Sequence, residues 1–221
     1  MKSERETVSA CPQFVMPLVF ATLLSLCTTV SAQAQVSNEQ TNGHYAYAYV
    51  ELSGPTACTS LYVQLYAVAV MSKPVGANAQ TVTTVDSSYA SYDRCTDTWL
   101  SSAGGSAQFP GMSGLRVQPT LSGAQLNTAL VIADFETQAL VPETINVSWT
   151  GFGDIIDQKQ VTHYAQPDYF SNDRFMRKFR EATPSGTITF GSLSYNLSDA
   201  TYATGYVGTI NAGRVATPPP Q

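Results

Sequence analysis

Four acidic residues in the middle of the chain are spaced in two pairs that could do chemistry. Asp134 and Glu136 occupy alternate positions of an extended run, so their carboxylates would lie side by side on one strand face, about 7 Å apart. Asp154 and Asp157 follow shortly after. Two carboxylates that flank one glycosidic bond can hydrolyse it. The spacing therefore allows a secreted glycan-directed hydrolase, although carboxylates at strand edges are usually only solvated.

Metal and cofactor chemistry has weaker support in the sequence. The segment from Gly153 to Asp157 could hold a structural calcium ion, but it lacks the dense Asp/Asn/Gly spacing of a calcium loop. His44 and His163 lie far apart and offer no ligand cluster, and the chain has no Gly-x-Ser-x-Gly motif. We therefore expect no metal and no cofactor, with a structural calcium ion as the alternative, and we favour a protein that is not an enzyme.

A stripe of tyrosines is the most distinctive candidate for binding. Tyr45, Tyr47 and Tyr49 alternate with small or aliphatic residues, and Tyr62 and Tyr66 could join them from the next strand. Such rings can stack on sugars or anchor a protein partner. They can equally pack against each other across strands, which stabilises a sheet by up to about 1 kcal/mol per pair.

Basic residues are concentrated between positions 174 and 180. On a strand, Arg174, Lys178 and Arg180 would share one face, while Phe175 and Phe179 would share the other with Arg177. This pattern suits an amphipathic strand with its charges in water. It also suits a basic strip that binds an anionic polysaccharide, a lipid headgroup or an acidic partner.

Alternation of side chains predicts strands along most of the chain. The runs His44–Leu52 and Ser60–Met71 have period two, and turn residues separate them, so they predict a hairpin. Further breaks are expected at Leu121-Ser122-Gly123 and Val141-Pro142-Glu143. The glycine-rich stretch Ser101–Gly114 is predicted to be a mobile surface loop.

Eight to ten short strands without crossover helices predict an all-β fold. We favour an antiparallel β-sandwich over residues 43–215, with a β-barrel as the alternative and no substantial helix. Trp99 and Trp149 are expected to point inward between two sheets.

The first 34 residues have the pattern of a secretion signal. The stretch Phe14–Ala32 carries no charge, and small residues precede Gln35, so cleavage is expected after Ala34. An uncleaved membrane anchor and a lipoprotein acylated at Cys27 are the alternatives considered. Residues 35–42 are then a short linker, and the proline-rich residues 216–221 a disordered tail.

The predicted export determines which cysteines remain in the mature protein and in what form. Cys11 and Cys27 leave with the signal peptide, so Cys58 and Cys95 remain and are expected to form one disulfide. The protein is then secreted, periplasmic or displayed at the cell surface, with no membrane segment after cleavage.

Charge narrows the range of partners. The chain has 11 basic and 16 acidic side chains, a net charge of −5, and the predicted signal removes two of each. This acidity argues against nucleic acid, which needs a basic face. The sequence predicts an exported protein with a binding or structural role, whose partner is a carbohydrate or a cell-surface protein.

Overall fold

A computed structural model describes residues 37–73, 76–111, 114–166 and 169–216. The predicted signal peptide and residues 217–221 of the predicted tail lie outside these ranges. Among the described residues there is no helix of the length and apolarity that crossing a membrane requires.

The described chain folds almost entirely into strands. The elements in chain order are β1 (Ser37–Ser53), β2 (Thr59–Lys73), β3 (Gln80–Asp93), β4 (Thr98–Pro110), β5 (Leu115–Val117), β6 (Gly123–Asp134), β7 (Leu140–Gln166), β8 (Tyr169–Phe190), β9 (Leu193–Asn196), a 3-10 turn (Leu197–Asp199) and β10 (Tyr202–Ala216). The predicted linker therefore ends early, because residues 37–42 belong to β1 and pair with β10.

All pairings are antiparallel, and they close into a ring. Eight strands follow one another in the order β10, β1, β2, β3, β4, β6, β7 and β8, and β8 pairs in turn with β10. The short strands β5 and β9 attach to β6 and β8. The all-β antiparallel fold is therefore confirmed, and the continuous ring has the closure of the predicted barrel alternative.

Ring closure gives every strand an inner and an outer face. On β1, residues 46, 48, 50 and 52 are buried, and on β2 residues 63, 65, 67 and 69 are buried. These side chains belong to one hydrophobic cluster with residues of β3, β6, β7, β8 and β10. The alternating positions of both strands point to the outside, as the period-two pattern requires.

Two tryptophans have opposite environments. Trp149 on β7 is buried as predicted, and its Nε1–H donates to the backbone oxygen of Tyr47 at 2.8 Å. Trp99 on β4 is 67% exposed, so the prediction that it points inward is wrong. Trp99 lies near the start of β4, where its indole packs on outward tyrosines instead of the core.

The stretch predicted to be a mobile loop is mostly strand β4. Its glycines reflect close packing between strands. A Cβ atom on Gly105 would lie 3.0 Å from the Cα of Ile132 on β6. Since β4 and β6 are joined by only two residue pairs, Ala103 with Asp134 and Gly104 with Ala133, this approach is what closes the ring there.

The predicted disulfide is confirmed. Cys58 in the β1–β2 turn is bonded to Cys95 in the β3–β4 turn, with a Cα–Cα distance of 5.3 Å. The amide of Arg94 also donates to the Cys58 oxygen at 2.7 Å. The bond thus ties two neighbouring turns at one end of the ring.

Replacing both Cys58 and Cys95 by Ser should lower the free energy of unfolding by about 4 kcal/mol, because the cross-link restricts the unfolded chain. Urea titrations of both proteins would measure this. A reductant should shift the wild-type midpoint toward that of the double variant and leave the variant unchanged. Equal midpoints in the oxidised wild type and the variant would contradict the expectation.

Candidate binding surface

Six aromatic side chains lie on the outside of the ring in two groups of contacting rings that share strand β1, and they are here together called the aromatic face. Neighbouring rings have centroids about 6 Å apart: 6.2 Å for Tyr47–Tyr206, 6.2 Å for Tyr49–Tyr62, and 5.9 Å for Tyr62–Trp99. The aromatic face consists of Tyr47, Tyr49, Tyr62, Trp99, Tyr202 and Tyr206.

The register of three strands brings these residues together. Tyr47 of β1 lies directly opposite Tyr206 of β10, and Tyr49 contacts its diagonal neighbours Tyr62 on β2 and Tyr202 on β10. Direct and diagonal cross-strand neighbours are within reach of aromatic side chains. The predicted tyrosine stripe is thus one part of a wider surface. Tyr62 joins it from the neighbouring strand β2, as the sequence allowed, whereas Tyr202 and Tyr206 come from β10, which is distant in sequence.

One end of the aromatic face forms a groove of about 530 Å³. Tyr49 and Tyr62 line it together with Gln64, and Trp99 and Phe135 add rings that are 67% and 55% exposed. Exposed apolar side chains that are grouped into one patch often mark a ligand or partner site, whereas single ones do not. The groove therefore combines flat rings with an amide that can hydrogen-bond.

Tyr45, predicted as a binding residue, has a different environment from the other two tyrosines of the stripe. Only 6% of it is exposed, and its ring lies over Gly208, where a Cβ atom would approach the ring to 2.6 Å. Burial raises its pKa to about 12. Tyr45 thus serves mainly to cover the backbone of β10.

The hydroxyl groups of Tyr47 and Tyr49 can make polar contacts with a ligand. Burial, followed by charge interactions with neighbouring tyrosines, raises the pKa of both phenols above the usual value. Both hydroxyls are therefore neutral at physiological pH, and each can donate or accept a hydrogen bond.

The basic strip is partly engaged by its neighbours. Lys178 Nζ lies 3.3 Å from Asp157 Oδ2, and Arg180 Nε donates to the Gly153 oxygen at 2.8 Å. Arg174 is exposed and lines a separate polar hollow with Asn172 and Lys159. The structure does not bring these three basic residues into the aromatic groove.

Instead, the opposite face of the same strand extends the aromatic face. The ring of Phe179 packs edge-on against Tyr206 at 5.7 Å, and the Arg177 guanidinium lies 4.8 Å above the ring of Phe179. Arg177 also donates to the Gln158 side chain at 2.5 Å. The sequence pattern placed Phe179 and Arg177 on one strand face, but it could not show which face.

The predicted carboxylate pair does not form. Asp134 ends β6, and its Oδ1 accepts the backbone N–H groups of Glu136 and Thr137, each at 2.9 Å. The hydrogen bond from Thr137, ahead of that from Glu136, lowers the pKa of Asp134. Glu136 therefore lies in the turn and not beside Asp134 on a strand, because the chain reverses there.

The other acidic candidates are exposed on β7. Asp157 pairs with Lys178, and Asp154 lies at the irregular register between Phe152 and Ile156. Within the described ranges, the one group of potential metal-binding atoms comprises Cys58, Asp93 and Cys95. Both sulfurs there are in the disulfide, and Asp93 Oδ1 accepts the Cys95 amide at 2.8 Å.

A buried carboxylate inside the ring was missed by the sequence analysis. Glu143 on β7 is 1% exposed, and its Oε1 accepts hydrogen bonds from Ser87 at 2.8 Å and from the Tyr89 hydroxyl. No described group hydrogen-bonds its Oε2. Burial raises the pKa of Glu143, and it also raises that of Tyr89, with the carboxylate as a further cause. The pattern around Pro142 indicated a turn and so hid this residue.

Replacing Glu143 by Gln should change how stability depends on pH. The raised pKa means that the stabilising contribution of the native residue is full below its unfolded pKa and is lost as pH rises through its folded pKa. As pH rises between these two pKa values, the free energy of unfolding of the wild type should therefore fall relative to that of the variant. Urea unfolding at a series of pH values would measure the difference.

Asp157→Asn is a matched control for this pH experiment. Its carboxylate is about half exposed and forms a surface ion pair, so the substitution should leave the pH dependence nearly unchanged. A difference between wild type and Glu143→Gln that stays constant over the whole pH range would contradict the assignment.

Comparisons with known proteins add little to this picture. No protein family and no curated protein matches the sequence. Among solved structures, the chain is similar at 11% identity and a TM-score of 0.29 to a Nitrosomonas europaea protein provisionally described as an AttH. The match covers 80% of this chain and spans about half, 51%, of the other. So low a score carries no argument about function.

Proposed function

We propose that this protein is exported and binds carbohydrate outside the cytoplasm through the groove at the end of its aromatic face. The observation that carries the proposal is the exposure of Trp99 beside the stacked pair of Tyr49 and Tyr62. Flat aromatic rings offer apolar faces for sugar rings, while phenol hydroxyls and an amide provide hydrogen bonds.

The geometry favours a preformed site. The rings of Tyr49 and Tyr62 are nearly parallel, with 26° between their planes, and Trp99 packs edge-on against Tyr62. Trp99 also contacts Tyr92 at 4.9 Å. Because each ring is held by another, little side-chain entropy is lost when a ligand binds.

Binding is favoured over hydrolysis by the state of the carboxylates. A glycosidase needs an acid with a raised pKa that reaches the scissile bond. The pKa of Asp134 is lowered, and Glu143, whose pKa is raised, is buried inside the ring. The groove residues therefore support recognition without a chemical step.

Export is supported by two independent features. The first 34 residues carry the signal-peptide pattern, and the disulfide suits an oxidising compartment.

Expressed with its native N-terminus in a bacterium, the chain should be recovered outside the cytoplasm beginning at Gln35. Intact mass would show this. Ala34→Phe should block cleavage at this site, because signal peptidase accepts only small side chains there. Full-length protein that stays in the cytoplasm would contradict export.

A glycan array with purified protein tests the binding proposal. The wild type should bind a defined set of glycans saturably. Trp99→Ala and Tyr62→Ala should each weaken binding at least about tenfold, since stacking rings dominate such contacts. Each variant would be checked for an unchanged circular dichroism spectrum and melting temperature.

Phe152→Ala is the matched control for the array. Phe152 is 50% exposed on β7, and β7 is four strands away from β2 in the eight-strand ring. Its replacement should therefore leave glycan binding unchanged. An equal loss of glycan binding in the control would show that the array reports nonspecific binding. Binding that persists in both groove variants would exclude this groove as the site.

A further inference from the structure

A cavity of about 470 Å³ opens at one end of the ring, beside the disulfide-linked turns. Its mouth is exposed to water through Ser53, Pro55 and Leu193, while Tyr89 and Ala103 are buried at its inner wall.

The inner wall of this end cavity is apolar and rigid. The rings of Tyr89 and Phe190 stack with centroids 5.2 Å apart and 19° between their planes. The hydroxyl of Tyr89 is held by the buried Glu143, so the ring cannot turn freely. Leu61 adds an aliphatic side chain that packs against the core. An apolar cavity of this size at the mouth of a strand ring is typical of small-molecule sites.

Few polar groups line the cavity, and the charge that the described lining residues contribute is negative. Ser91, Ser102 and Tyr195 contribute hydroxyls. Asp134 is the one charged residue among the described residues that line the cavity. Its carboxylate is kept ionised by the backbone N–H groups of the β6–β7 turn. A positive ligand would gain from this charge, whereas an anion would be repelled.

We propose that the end cavity is a second binding site, which takes a small molecule with an apolar ring or chain and a positively charged head group. The apolar body lies against Tyr89, Phe190 and Leu61, and the head group lies toward Asp134 at the rim. Tyr89 and Ala103 also border the aromatic groove, but the cavity is on the inner side of β3 and β4 and does not depend on glycan binding.

Three probes with one shared body test the proposal. 2-Naphthylmethylamine, 2-naphthol and 2-naphthoate carry positive, neutral and negative heads at neutral pH. Titration calorimetry on the full folded protein should give the tightest binding for the amine. The carboxylate should bind at least about tenfold more weakly, a difference of about 1.4 kcal/mol. Asp134→Asn keeps an oxygen that can accept the turn N–H groups, so it should abolish the discrimination and leave the naphthol affinity unchanged.

Two further variants locate the site. Ser91→Phe fills the cavity from the wall and should remove binding of all three probes. Leu193→Lys adds a positive charge at the exposed rim, where folding is tolerant, and should weaken the amine at least about fivefold while sparing naphthol. Leu193 is 53% exposed, so the second variant is informative even where the first fails to fold.

Trp99→Ala separates this site from the aromatic groove. It should leave amine binding unchanged, and Ser91→Phe should leave glycan binding unchanged. The proposal is overturned by any of three results: no probe binds the wild type, the carboxylate binds as well as the amine, or Leu193→Lys and a folded Ser91→Phe both bind the amine as the wild type does.

Discussion

The rest of the structure depends on closure of the sheet through β10. This strand pairs with β1 along one edge and with β8 along the other, so the strands form a ring in which every side chain is either inside or outside. Closure satisfies the backbone hydrogen bonds that an open sheet leaves at its edges. It also turns the simple alternation of β1 into a functional division: aliphatic residues line the core, and tyrosines form a surface.

Two sets of hydrogen bonds inside the ring support this separation of core and surface. Trp149 spans the interior from β7 and donates to the Tyr47 oxygen, which fixes the backbone from which the aromatic face projects. The Ser87–Tyr89–Glu143 cluster performs a comparable role nearer the end cavity, where it holds the ring of Tyr89. A buried carboxyl group costs stability unless it is hydrogen-bonded, and in Glu143 one oxygen, Oε1, accepts both hydrogen bonds of this cluster.

Local pattern predicted what is local in the fold, and failed where distant strands meet. The alternation around Tyr47, the β1–β2 hairpin and the Cys58–Cys95 bond could all be predicted because each follows from spacing and chemistry along the chain. The glycines of β4 indicated a loop, because nothing in the sequence shows that β6 approaches them. For the same reason Trp99 was expected inside, and Glu143 was hidden by the proline before it. The aromatic groove and the end cavity both combine residues from several strands, and their assembly needed the ring order.

If the protein binds its ligand as proposed, the exposed rings at the end of the aromatic face meet the ligand while the core stays unchanged. The chain has two tryptophans, one on each side of this division, and their indole N–H signals are distinguishable by NMR. Titration of ¹⁵N-labelled protein with an oligosaccharide that it binds should move the Trp99 signal and leave that of Trp149, which is buried and hydrogen-bonded, in place. Saturable binding that leaves the Trp99 signal unmoved would contradict the account.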